Sequence, residues 1–150
     1  MKHEAFMKEA IAQAEYAQSL GEVPIGAVIV YQDTIIARGY NLRQTSQKAT
    51  MHAEIMAIEN ACEHLKSWRL EDCDLYVTVE PCPMCAGAII MSRIRSVYYG
   101  VKEYKSGAHE SIVNLFDYPF NHHVGVQSGI LENECKTLLQ SFFQTLREKS

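Results

Sequence analysis

No apolar run in this sequence reaches the roughly 18 residues that a membrane-crossing helix needs, so such a helix is not expected. A leader segment is equally hard to find. Glu4, Glu9 and Glu15 interrupt the first apolar residues, against the pattern of a secretory or transit peptide. Repeats, low-complexity tracts and linker-like Pro/Gly/Ser stretches are also missing, which reads as one domain over residues 1–150. Cysteine is scarce and odd in number, at five residues. That does not suit a secreted disulfide framework, and a reducing cytoplasm is the expected compartment. Positive charge is in deficit: the formal net charge of −4 argues against sequence-blind binding to nucleic-acid backbone. It leaves open RNA read locally, by unstacked bases in a pocket with a few basic residues at its rim. What is present is a 47% apolar composition, enough for a globular domain that buries roughly 70% of its unfolded surface.

Periodicity sets out the elements. Phe6, Ala10, Ile11, Ala14 and Ala17 recur at helical spacing over residues 2–20, and Gly21 is a natural stop. Two β-branched runs, Ile25 to Tyr31 and Thr34 to Gly39, are parted by Gln32-Asp33 and predict a hairpin. Asn41 to Met51 reads as a polar loop. A helix is expected from about His52, burying Ile55, Ile58, Cys62 and Leu65. Asp74 to Val79 reads as a buried strand ended by Pro81 and Pro83, Met84 to Arg93 as a short apolar helix, and Ser96 to Gly100 as a strand. Residues 101–121 look irregular, with one helical turn around Ile112 to Phe116, and His123 to Gln127 is a last strand. A closing helix from Leu131 to Glu148 should bury Leu131, Cys135, Leu138, Phe142 and Leu146. This order implies an α/β layered domain, a mixed sheet covered by helices.

Chemistry concentrates in a split motif, His52-Ala53-Glu54 and then Pro81-Cys82-Pro83-Met84-Cys85. One imidazole and two thiols are three zinc-suited ligands, and they leave one tetrahedral position for water. Glu54 is placed to move protons on and off that water. Cys82 and Cys85, three apart, share a helix face, whereas His52 and Glu54 can both reach one site only from a helix's first turn. Two helix N-termini converging there would favour thiolates. The expected reaction is hydrolytic deamination, with ammonia leaving and a carbonyl left behind. The order H-x-E…P-C-x-x-C is the documented signature of zinc deaminases that act on nucleobases. CxxC alone also serves redox pairs and closed structural zinc sites. A redox role leaves His52 and Glu54 idle, and Cys73, the nearest fourth ligand, sits at the start of an apolar strand. Cys62 and Cys135 lie on apolar stripes and read as buried thiols. His3, His64, His109, His122 and His123 lack ligand spacing, and Trp68 reads as a packing residue.

Beyond the metal motif, several segments carry a resemblance: Glu22 to Val28, Asn41-Leu42-Arg43, His52 to Ile55, Trp68-Arg69-Leu70 and Leu75 to Ala88. So do Ser92-Arg93-Ile94, Lys105 to Ala108, Asn121-His122, Gly129-Ile130-Leu131, Glu134-Cys135 and Phe142-Phe143. From about Glu4 to Arg147 the chain closely resembles the bacterial tRNA-specific adenosine deaminases of the cytidine/deoxycytidylate deaminase superfamily. The resemblance implies a three-layer cytidine-deaminase-like α/β domain, its mixed central sheet flanked by helices. It implies deamination of the wobble adenosine of an arginine tRNA anticodon to inosine, by attack of zinc-bound hydroxide on C6 with Glu54 as proton shuttle. It further implies a homodimer with one zinc per subunit, held by His52, Cys82 and Cys85, that flips bases of the anticodon stem-loop into pockets. Asn41 and the Ala53 backbone amide would then face the target nucleoside against an apolar wall of Val23, Pro24 and Ile25. Glu103, Lys105, Asn121 and Phe143 would contact neighbouring nucleotides.

Departures from the family cluster together. Glu103 stands where Asp is usual, Glu110 where a small residue is usual, with His109 beside it, and Ala49-Thr50-Met51 replaces a common Pro-Thr-Ala. Two rivals stand beside this reading: a zinc-dependent deaminase of free guanine or cytosine derivatives, and a zinc-stabilised binding module without catalysis. Glu54 speaks against the second, since a structural site has no use for a proton shuttle.

Overall fold

The computed structural model describes residues 2–149. Its elements are α1 (Lys2–Ser19), β1 (Gly26–Tyr31), β2 (Thr34–Tyr40), α2 (Arg43–Ser46), α3 (Ala53–Leu65) and β3 (Cys73–Val79). They continue with α4 (Pro83–Met91), β4 (Ser96–Val101), a 3-10 turn (Leu115–Asp117), β5 (Gly125–Gln127) and α5 (Glu132–Lys149). Gln32 and Asp33 both take positive φ, 51° and 63°, the backbone twist that a tight two-residue hairpin turn requires. β1 therefore folds back on β2 and also pairs antiparallel with β3, while β3, β4 and β5 run parallel in the order β2-β1-β3-β4-β5. The parallel step from β3 to β4 is made through α4, as a crossover connection must be.

Alternation along the strands feeds two apolar layers. Ala27, Ile29, Leu75, Val77, Val97 and Tyr99 pack with residues of α3 and α4. Val28, Val30 and Tyr76 pack with Met7 and Ala10 of α1 and Cys135 of α5. This is the expected three-layer arrangement with a mixed sheet at its centre. Among the described residues no helix is long and apolar enough to cross a membrane.

Four elements differ from expectation. The face α3 buries is Ala53, Ala57, Ile58 and Ala61, while Ile55, Cys62 and Leu65 are half-buried. Size explains this, because a Cβ at Gly39 on β2 would run into the Ala53 carbonyl and the Ala57 amide. Helix and strand touch backbone to backbone there, which only small residues permit. A short helix, α2, occupies part of the expected 41–51 loop. The turn expected at 112–116 forms at Leu115–Asp117, where the Asn114 side chain accepts from the Phe116 amide at 3.1 Å. On α5 only Cys135 of the expected stripe is buried, and Leu146 is 53% exposed. The helix packs through Cys135 and Leu139, with Leu131 just ahead of it in the same cluster, and its later residues are mostly exposed. The carboxyl ends of β3 and β4, the start of β1 and the N-termini of α3 and α4 meet at one edge of the sheet, where ligands of parallel sheets bind.

Candidate active site

His52 and Cys82 are the residues that cap α3 and α4, both in extended backbone conformation, and neither side chain makes a capping hydrogen bond. Their side chains turn instead toward each other and toward Cys85 in the first turn of α4. The His52 Nδ1 lies 3.6 Å from the Cys82 sulfur and 3.5 Å from the Cys85 sulfur. A zinc ion bonded tetrahedrally to sulfur and imidazole nitrogen sets those atoms about 3.6 Å apart. The three ligand atoms lie within 4.8 Å of one another. Donor chemistry and spacing both fit zinc, and both helix N-termini add the positive end of a dipole to thiolate sulfur. The protein groups already lean that way. Cys82 is pushed down to about 4, first by the hydrogen bond from the Cys85 thiol and then by the His52 ring. Cys85 is pushed up in turn, first by its bond to Cys82, and His52 is raised chiefly by the same sulfur.

Beside this triad lies a cavity of about 300 Å³, lined by Val23, Ile25, Asn41, Ala53, Glu54 and Ser106 among others. That is the low end of the range for small-molecule sites. Glu54, in the first turn of α3, is 4% exposed. Burial pushes its carboxyl up to about 7, the range in which a carboxyl both takes and gives protons at neutral pH. Asn41 donates from Nδ2 to the Val23 carbonyl at 3.3 Å, which fixes the orientation of the amide. Its Oδ1 is buried and has no partner among the described residues. An orphaned acceptor on a cavity wall is a cost that a ligand's N–H or O–H can remove. Val23 and Ile25 supply the apolar wall, whereas Pro24 is buried without lining the cavity.

Two buried carboxylates that sequence reasoning passed over hold the rims. Glu22, 1% exposed, accepts from the Gln44 amide at 3.2 Å and the Thr45 amide at 2.5 Å. That is why α2 forms where a loop was expected. Burial alone would raise the Glu22 carboxyl; the bonds from Thr45 and Gln44 outweigh it and hold the group below its ordinary value. Glu80, 3% exposed, stands in the same relation to the 103–111 segment. Burial is again outweighed, here by the Ser111 hydroxyl and the amides of Glu110, His109 and Glu103. One signal was readable. A carboxylate directly after the apolar run Leu75 to Val79 has no solvated face to occupy and needs donors.

Glu103, Lys105 and Phe143 come together in a second cavity of about 790 Å³ between the 101–105 segment and α5, together with Tyr104, Lys136 and Arg147. The Glu103 carboxylate also accepts from the Lys105 amide at 3.1 Å. Asn121 is exposed and lines neither cavity. Of the unusual residues, His109 turns inward and bonds the Tyr99 hydroxyl at 2.8 Å, while Glu110 is exposed and pairs with Lys102 at 2.7 Å.

Residues 1–147 match the MafB19-like deaminase family. The chain is 50% identical over 147 residues to the tRNA-specific adenosine deaminase of Bacillus subtilis (strain 168), covering 97% of this chain and 91% of that protein. A solved structure from work on A-to-I editing by tRNA:A34 deaminases at the wobble position of transfer RNA matches with a TM-score of 0.86 and 47% identity. That match covers 90% of this chain and 99% of the other. A guanine deaminase structure from Bacillus subtilis matches less well, with a TM-score of 0.65 and 33% identity, over 99% of this chain and 95% of the other. Sequence identity separates the two sides of that comparison, and the site carries the deaminase motif intact; the chain belongs to the tRNA-specific adenosine deaminase family.

Proposed function

We propose that this chain hydrolyses adenosine to inosine at the wobble position of a tRNA anticodon, that of an arginine tRNA by family resemblance. It does so in the cytoplasm, as a homodimer with one zinc per subunit. His52, Cys82 and Cys85 would hold the metal, which would supply the Lewis acidity that makes water a nucleophile at neutral pH. Glu54 holds the proton taken from that water and returns protons to the ring nitrogen beside the attacked carbon and to the departing amine. Val23 and Ile25 carry the flat face of the base, and the orphaned Asn41 oxygen accepts from the nucleoside. The Ala53 amide, in the first turn of α3, is a free donor toward the same base.

One observation favours RNA over a free base. Ser106 lines the catalytic cavity while its neighbour Lys105 lines the larger groove, so the two spaces adjoin along the chain. That groove combines Lys102, Lys105, Lys136 and Arg147 with the exposed rings of Tyr104 and Phe143. Cations for phosphates and aromatic faces for unstacked bases are what a single-stranded loop needs, and a free base has no use for either. The test compares inosine formation in an anticodon stem-loop with ammonia release from free guanine and cytosine. The stem-loop should be the better substrate by kcat/KM, and faster turnover of either free base overturns the proposal.

A further inference from the structure

The chain from Lys102 to Asn114 has no regular secondary structure, yet four of its backbone amides converge on one side chain. The Glu80 carboxylate accepts from the amides of Glu103 at 3.1 Å, His109 at 2.8 Å, Glu110 at 2.9 Å and Ser111 at 3.2 Å. The Ser111 hydroxyl adds a fifth bond at 2.5 Å. A carboxylate offers about four lone-pair sites, so this one segment saturates Glu80. Gly107 is buried inside the same turn, and a Cβ there would run into the carboxylate. Glu80 is itself fixed, its amide donating to the Val101 carbonyl at 2.9 Å. It is followed directly by Pro81, whose carbonyl accepts from Ala108 at 2.8 Å, and by the metal ligand Cys82. A single stretch of chain thus anchors both the metal site and the rim that bears Lys105 and Ser106.

We infer that Glu80 is a positioning residue for the nucleic-acid substrate: its buried carboxylate templates the 103–111 rim and so places Lys105 and Ser106 relative to Glu54. The inference rests on the RNA reading above. Glu80 reaches no reacting atom and acts only through the backbone it gathers. Glu80→Gln keeps the shape but puts an NH2 donor where amide donors converge, which leaves those donors unpaired and frees the rim.

The test uses the full zinc-loaded chain. In Glu80→Gln, amide hydrogen exchange at 103 and 109–111 should accelerate about tenfold or more, with β1 and β3 protection and zinc content unchanged. With an anticodon stem-loop, KM should rise about tenfold while kcat falls less than about threefold, the split expected when ground-state placement is lost. Glu80→Asp, which retains the carboxylate, should recover part of both effects. A general structural weakening would instead lower zinc content and β-strand protection together. Unchanged exchange in the rim overturns the templating, and a loosened rim with unchanged KM overturns its link to substrate. Should Glu80→Gln not fold, Ser111→Ala carries the test: it removes one donor and should speed exchange at 109–111 and raise KM about threefold. No change in either then overturns the inference. The exchange measurement needs no substrate. A loosened rim in the variant, with no stem-loop deamination by the unaltered chain, therefore overturns the RNA reading and leaves the templating supported.

Discussion

Glu54 and Cys82 sit within one cluster but do different jobs, and substitution should separate them. Glu54 is buried beside the triad and is not among the three residues whose donor atoms gather at the metal position. Glu54→Ala should abolish turnover while zinc content stays at one per chain, because only the proton carrier is lost. Cys82→Ser should lose zinc and thermal stability together, since ligand loss removes folding free energy as well as metal. Metal analysis beside a melting curve distinguishes the two, and substantial activity in metal-loaded Glu54→Ala would sink the shuttle role. At this scale the site was largely legible. His52 with Glu54, and Cys82 with Cys85, are local pairs that each read as a helix start. The two halves lie 30 residues apart, but their order matches a documented motif. Glu22 and Glu80 were not legible as anchors, because their partners lie more than 20 residues away and are mostly backbone amides, which have no side-chain identity to read.

Elements that repeat a simple period emerged as expected, and elements held by a distant contact did not. The β1–β2 hairpin follows from alternation and its turn residues alone. By contrast, α2 (Arg43–Ser46) has no side-chain cap of its own, and the Glu22 carboxylate serves that purpose from outside. The alanine face of α3 was misread for a related reason, since its selection depends on how closely Gly39 lets the sheet approach. The Glu22 anchor has a pH consequence. A carboxyl held below its ordinary 4.5 stabilises the fold above that pH, and the contribution is lost as pH falls through the folded-state value. Glu22→Gln should therefore melt lower at neutral pH, by about 1–3 kcal/mol for a charge-assisted buried pair. Its stability should also fall less steeply than that of the unaltered chain below pH 4.5. Identical acid limbs in the two melting series would count against the anchor.

Across the whole molecule, net charge and apolar surface bear on the two proposed partners, RNA and a second copy. The chain carries −4 overall, so attraction to RNA has to come from the local groove and not from the general field. Lys102 is already paired with Glu110, whereas Lys105 lines the groove next in sequence to Ser106 of the catalytic cavity, whose own lining includes Arg43. Lys105→Ala should weaken stem-loop binding and reduce the slope of log affinity against log salt by about one, with zinc content unchanged. An unaltered slope would remove Lys105 from the phosphate contacts.

The second copy follows from what α4 leaves uncovered. Cys85, Ala86, Ile89 and Ile90 are buried against the sheet layer, but Met84, Gly87 and Ala88 are only half-covered and Met91 is 65% exposed. These four occur at helical spacing and form an apolar stripe pointing away from the core, on a helix with no charged residue. Trp68 adds to the exposed apolar surface of the molecule at 57% exposure, its ring flanked by the Arg69 and Arg93 guanidiniums at 4.7 and 5.8 Å. An apolar stripe beside such a helix is the kind of surface a symmetric partner covers. Sedimentation at micromolar concentration should therefore give a species of twice the 17.0 kDa of one chain. Met91→Glu, which puts a charge in the stripe without touching the buried face, should shift that species toward the monomer while zinc stays bound. A single 17.0 kDa species for the unaltered chain would leave the stripe as ordinary exposed surface and remove the dimer.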